Sequence, residues 1–170
     1  MNQLKRLGIV LSILIGVVLL FTLYLSWPLL TGTTVILDTL PIDPFDPLRG
    51  QYVVINYEIS TLPSIADTNV GQTVFVSLAP NDEGIWEAQK ASLTKPSNIF
   101  IRGTTKRYSG NEMTIEYGIE QFFFERNADL PTENITVEAK VSSSGQARIV
   151  QLLHKGEPIE IEYKKPSLTS

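Results

Sequence analysis

Residues 7–27 carry no charged side chain and are almost all apolar, whereas beyond Pro28 apolar and polar positions alternate in short runs. The first pattern predicts a membrane-crossing helix, which needs roughly 20 apolar residues to traverse the hydrocarbon core with every backbone group bonded internally. The second predicts an antiparallel β domain, because successive side chains of a strand leave opposite faces of the sheet. Candidate strands are 33–37, 52–59, 73–78, 85–93, 99–105, 113–120, 135–141, 147–153 and 159–163, with a further strand over the aromatic run Phe122–Phe124. Their spacing suits a single sandwich or barrel-like sheet. The expected fold class is therefore mainly β. Residues 1–6 are cytoplasmic, 7–27 span the membrane, and 28–170 form one extracytoplasmic domain whose tail frays from about residue 164.

In the run from Tyr52 to Ile59, Val53, Ile55, Tyr57 and Ile59 share one face and Tyr52, Val54, Asn56 and Glu58 the other. The first set points inward, as a half-buried strand requires. The polar stretches Asn81-Asp-Glu-Gly84 and Ser109-Gly-Asn111 supply hairpin turns, with glycine free to take positive φ.

Whether the apolar segment is retained depends on its length and its exit. Signal-peptide cores are about 7–15 residues long and end in a small-x-small cleavage site. Here the run is longer and leaves through Thr22-Leu-Tyr-Leu-Ser-Trp-Pro28, without such a site. It reads as an uncleaved signal anchor. Lys5 and Arg6 flank its N-terminal side, and no charge follows until Asp38, so the positive-inside rule places the N-terminus in the cytoplasm. Tyr24 and Trp27 suit the outer headgroup layer, and Pro28 is expected to end the helix. Gly8, Ser12 and Gly16 recur every fourth residue and form a stripe of small side chains against which a second helix can pack.

Composition narrows the function classes. The chain has 14 basic and 18 acidic residues, and only Lys5 and Arg6 of these precede residue 28, so the outer domain is acidic. That argues against a nucleic-acid surface, which needs a concentrated positive field. With no cysteine there is no disulfide, thiol nucleophile, lipoprotein attachment or thiolate metal site. His154 is the only histidine, so multi-histidine metal sites and a Ser-His-Asp triad have little to rest on. No cofactor or metal is expected.

The most distinctive text outside the span runs from Leu40 to Tyr57, where the Asp-Pro steps Asp43-Pro44 and Asp46-Pro47 lead through Arg49 and Gly50 into a strand. With Gly50, Gln51, Tyr52, Ile55 and Tyr57 in register, and with Tyr117-Gly-Ile-Glu120 followed by aromatics, the chain resembles the GDYXXLXY family of uncharacterised bacterial membrane-anchored proteins. The resemblance implies a bacterial anchored domain and brings no established activity. Gln51 stands where the pattern has Asp, so no catalytic base or metal ligand carries over at that position, while Ile55 for Leu nearly conserves volume.

Read as residues alone, the motif is a rigid corner in which Asp43 and Asp46 bond turn amides and the prolines fix φ. Its alternative is a ligand site, with Arg49 and the Tyr52 hydroxyl holding a carboxylate or phosphate beside Tyr57, Tyr117 and Glu120. Gly118, within a candidate strand, marks a bulge or close backbone approach. Glu116 and Glu120 would share a strand face, a poor arrangement for a general acid and base. The function expected is a non-enzymatic binding or accessory module of the envelope, with a membrane-protein partner or self-association through the helix. The alternative is an anchored serine–lysine hydrolase built on Ser92 with Lys90 or Lys95, although no nucleophile motif surrounds them.

If the small-residue stripe packs against another helix, Gly8→Ile combined with Gly16→Ile will lower self-association in a membrane two-hybrid assay. Unchanged association would remove the stripe as a self-contact face.

Overall fold

The computed structural model describes residues 3–41, 52–123, 131 and 133–159. Helix α1 spans Gln3–Thr31. Its stretch Lys5–Trp27 is long and apolar enough to cross a membrane, a property that signal sequences share. The helix runs past Pro28, where the sequence predicts its end. Proline there removes one donor, the N–H that the Tyr24 carbonyl would accept, and leaves the following turn free to form. The Thr31 hydroxyl also bonds the Trp27 carbonyl at 3.0 Å, satisfying an acceptor near the helix end. Only Gly32 separates this helix from the first strand.

The strands after α1 are β1 (Thr33–Asp38), β2 (Tyr52–Val54), β3 (Thr61–Pro63), β4 (Thr73–Pro80), β5 (Trp86–Ser92) and β6 (Phe100–Ser109). They continue with β7 (Glu112–Glu116), β8 (Gln121–Phe123), β9 (Ile135–Val141), β10 (Ala147–His154) and β11 (Glu157–Pro158). A five-stranded sheet has the order β3-β7-β6-β4-β5, a four-stranded sheet the order β1-β9-β10-β11, and β2 pairs with β8. All pairings are antiparallel. Together they form a mainly β, nearly closed, barrel-like sheet.

The alternation read from the sequence fixes which side chains meet inside. Val35 and Leu37 of β1, Val74, Val76 and Leu78 of β4, and Ile135, Val137, Ala139 and Val141 of β9 point into one core with Met113, Ile115 and Leu152. Inward Ile55, Tyr57 and Ile59 join that core, while Val54, Asn56 and Glu58 face out. Burying each large aliphatic side chain contributes roughly 1.5–3 kcal/mol. Both expected hairpins form, with Gly84 and Gly110 at positive φ in the β4–β5 and β6–β7 turns.

Three expectations are corrected. The strand predicted over 52–59 is cut short at Val54 and gives way to a 3-10 turn over Glu58–Ser60. The strand predicted over 113–120 stops at Glu116, and Gly118 lies beyond it with φ +81°. In both places the side-chain alternation persists while ladder pairing lapses, so periodicity alone overextends the strands. The short edge strand β3, which carries Pro63, was not predicted at all; proline is tolerated at an edge because no second neighbour needs its missing N–H. The expected strand 159–163, Phe124 and the tail from 164 lie outside the described residues beyond Ile159, as does the Asp-Pro corner 43–47.

Gly103 sets how closely β6 approaches the end of β7 and Tyr117 beyond it. A Cβ there would stand 2.9 Å from both the Tyr117 Cδ1 and the Glu116 carbonyl oxygen and would also meet the Ile115 side chain. Gly103→Ala should therefore lower stability by about 1–3 kcal/mol through overpacking, measured by chemical denaturation of the full chain in detergent. An unaltered midpoint would contradict this packing.

Candidate functional site

Of the five residues marked by the motifs, Tyr57 and Tyr117 meet in the core and Glu120 lies half-buried beside them. Tyr57 follows β2 and is fully buried, and Tyr117 follows β7 with 6 % exposure. The Tyr57 hydroxyl donates to the Ile119 carbonyl at 2.6 Å, and the Tyr117 hydroxyl donates to the Ile59 carbonyl at 2.5 Å. Each phenol thus reaches the backbone two residues beyond the other tyrosine. The two segments need this link because both have left the regular ladder, and each buried carbonyl would otherwise lack a donor.

Glu120 shapes one side of the link. Its carboxylate accepts the backbone N–H of Tyr117 through Oε1 and that of Gly118 through Oε2, the latter at 2.8 Å. Two amides converging on one carboxylate turn the chain at Gly118, whose φ of +81° suits glycine. The turn is what ends β7. Beyond it, the Glu120 carbonyl accepts the Ile55 N–H at 2.7 Å, extending the β2–β8 pairing of Val54 with Gln121 by one step. The Leu40 N–H bonds the Asn56 carbonyl at 2.8 Å, and Thr39 bridges to Tyr57, tying the end of β1 to the same segment.

Burial, and secondarily the negative charge of Glu120, pushes both phenols well above their ordinary ionisation range. They remain neutral donors at any physiological pH. Their protons are engaged within the fold, so a ligand could use these hydroxyls only by breaking the bonds between the two segments. Arg49 lies outside the described residues, as does the Tyr52 side chain, and the Tyr52 backbone pairs with Phe123.

The remaining candidates sit apart. Gly8, Ser12 and Gly16 lie along one face of α1, and open space surrounds both glycines. Glu116, expected on the Glu120 face, ends β7 in an ion pair with Lys106. Ser92 accepts the Thr94 N–H at 3.1 Å, and Lys95 stands 5.5 Å from the Phe100 ring centre. Among the described residues no hydrogen bond joins Ser92 to Lys90 or Lys95. His154 ends β10, partly exposed, opposite Ile135 and Glu157. Sequence reading overlooked Gly103, Arg102 and Arg148; the one available signal was the Arg102-Gly103 step inside a predicted strand.

The family model described as GDYXXLXY protein matches residues 14–152, and the chain belongs to that family. No curated protein and no solved structure matches it.

Tyr57→Phe or Tyr117→Phe should each cost about 1–3 kcal/mol, because each leaves a buried carbonyl without its donor. Both phenols keep their protons in the fold at pH values where the unfolded chain loses them. Their contribution is therefore complete below the ordinary tyrosine pKa of about 10 and is lost as pH rises beyond it, by roughly 1.4 kcal/mol per pH unit for each. Denaturation curves across the alkaline range should show this slope in the native chain and a shallower one in the double Phe variant; equal slopes would refute the assignment.

Proposed function

We propose that this GDYXXLXY family member is a single-pass protein of the bacterial cytoplasmic membrane whose β domain faces outward as a non-enzymatic binding or accessory module. The observation that carries this reading is the apolar helix, none of whose spanning stretch is buried, joined to the first strand through Gly32 alone. The apolar surface of residues 7–27 is costly in water and favourable in lipid. Lys5 and Arg6 on its inner flank favour an inward N-terminus. With so short a joint, the domain stands against the membrane rather than swinging on a tether. In keeping with this, Thr31 and Thr33 share a shallow groove with Lys95–Phe100 and the β9–β10 turn, which brings those loops beside the helix end.

A binding role is favoured over catalysis by the chemistry of the motif residues. Tyr57 and Tyr117 are committed donors and Glu120 a committed acceptor, so they hold the scaffold rather than react. The partner is a membrane protein or a second copy, met in part through the stripe of Gly8, Ser12 and Gly16.

Because the chain has no cysteine, single replacements report topology cleanly. An impermeant maleimide applied to intact cells should label Asp82→Cys, on the exposed β4–β5 turn, and should leave Gln3→Cys unlabelled until lysis. The protein should stay in the membrane fraction after alkaline carbonate washing. Labelling of Gln3→Cys in intact cells, or a mature chain lacking the helix, would overturn the anchored reading.

A further inference from the structure

Among the described residues, the nearly closed sheet has a polar groove whose charge points to a ligand class. Strand β7 parts from β6 after Glu116, which pairs with Thr104, because the Glu120 carboxylate turns the chain at Tyr117 and Gly118. The earlier part of β6 therefore lacks β7 beside it. The β9–β10 turn approaches instead, and the Arg102 N–H bonds the Gly145 carbonyl at 2.8 Å. Between this contact and the departing β7 lies a groove of about 360 Å³. Gly103, Tyr117 and Ala147, all buried, lie along its lining, and Gly103 lets β6 lie directly against Tyr117, where a Cβ would clash.

Arg102 of β6 and Arg148 of β10 are both on its lining, so two different sheets each contribute an arginine to one groove. Thr73, Thr104 and Gln146 add neutral hydrogen-bonding groups. The one carboxylate on the lining, Glu116, is paired with Lys106. Among the described residues, neither arginine has a carboxylate within ion-pair distance, and the hydrogen bond made by the Arg148 side chain is a long one of 3.4 Å to the adjacent Ala147 carbonyl. Two like charges on one lining with no counter-charge among the described residues are unfavourable, more so when Arg148 is half-buried. In a chain of net charge −4, this is a concentration of positive charge against the overall sign.

We infer that the groove between β6 and β10 binds a small oxyanion, a phosphate or carboxylate group, clamped between Arg102 and Arg148. Guanidinium forks match the planar or tetrahedral oxygens of such groups and bind them with two parallel hydrogen bonds. The threonine hydroxyls and the Gln146 amide supply donors for the remaining oxygens. The volume lies at the lower end of small-molecule sites and suits a compact ligand or the anionic end of a larger one. This gives the binding role proposed above a ligand class. Its test is independent of topology, since it is read on purified full-length protein in detergent.

Inorganic phosphate and citrate, titrated separately, should raise the thermal midpoint in proportion to the logarithm of concentration, while chloride at matched ionic strength should not. Whichever anion acts at the lower concentration identifies the source chemistry. Arg102→Gln and Arg148→Gln should each weaken binding by about tenfold or more. Gln146→Glu, which adds an opposing charge and keeps both guanidinium groups, should do the same and guards against a folding effect of the arginine variants. Arg107→Gln, on β6 outside the groove lining, should bind as the native chain does. Absence of any anion effect at millimolar concentration, or an effect that survives both arginine variants and Gln146→Glu, would overturn the inference.

Discussion

The fold depends on two hydrogen bonds made by neutral phenols, Tyr57 to the Ile119 carbonyl and Tyr117 to the Ile59 carbonyl. They span 62 and 58 residues of sequence and join the two segments where the strands after the motif give up regular pairing. A tyrosine suits this position because its ring fills core volume while its hydroxyl reaches a carbonyl that no strand neighbour serves. Phenylalanine would keep the volume and abandon the acceptor; a shorter hydroxyl would keep neither. The reciprocity adds rigidity, since each segment holds the other at the same level of the core.

Around that link, the irregular segments become well-defined corners. Glu120 collects the amides of Tyr117 and Gly118, and its own carbonyl takes the Ile55 N–H, so one residue ends β7 and starts the β2–β8 ladder. Thr39 and Leu40 bring the end of β1 to the same place. The consequence reaches across the barrel: ending β7 early leaves part of β6 uncovered, and the β9–β10 turn with Arg148 approaches that edge. The corner that stabilises the core and the opening that gathers two arginines are thus products of a single turn.

Much of the candidate site was legible as residue types but not as an arrangement. Tyr57, Tyr117 and Glu120 stand out through the family pattern they match, and the inward register of Ile55, Tyr57 and Ile59 follows from period-two alternation. Their mutual contact does not follow, because nothing local says that residue 57 meets residue 119. Arg102 and Arg148 illustrate the limit. Each is an ordinary strand charge, indistinguishable from a solvated residue until the sheets are assembled.

By itself, the sequence determined the elements whose signals are local. An uncharged run of helical length, strands marked by alternation, and turns marked by glycine and asparagine are written in consecutive residues, so N-terminal helix, mainly β domain and family pattern could all be read directly. Tertiary structure alone decided where strands stop, which phenol serves which carbonyl, and which arginines share a groove. The reason is that backbone pairing and charge proximity depend on distances between residues far apart in the chain, and those distances exist only once the sheets have closed around their core.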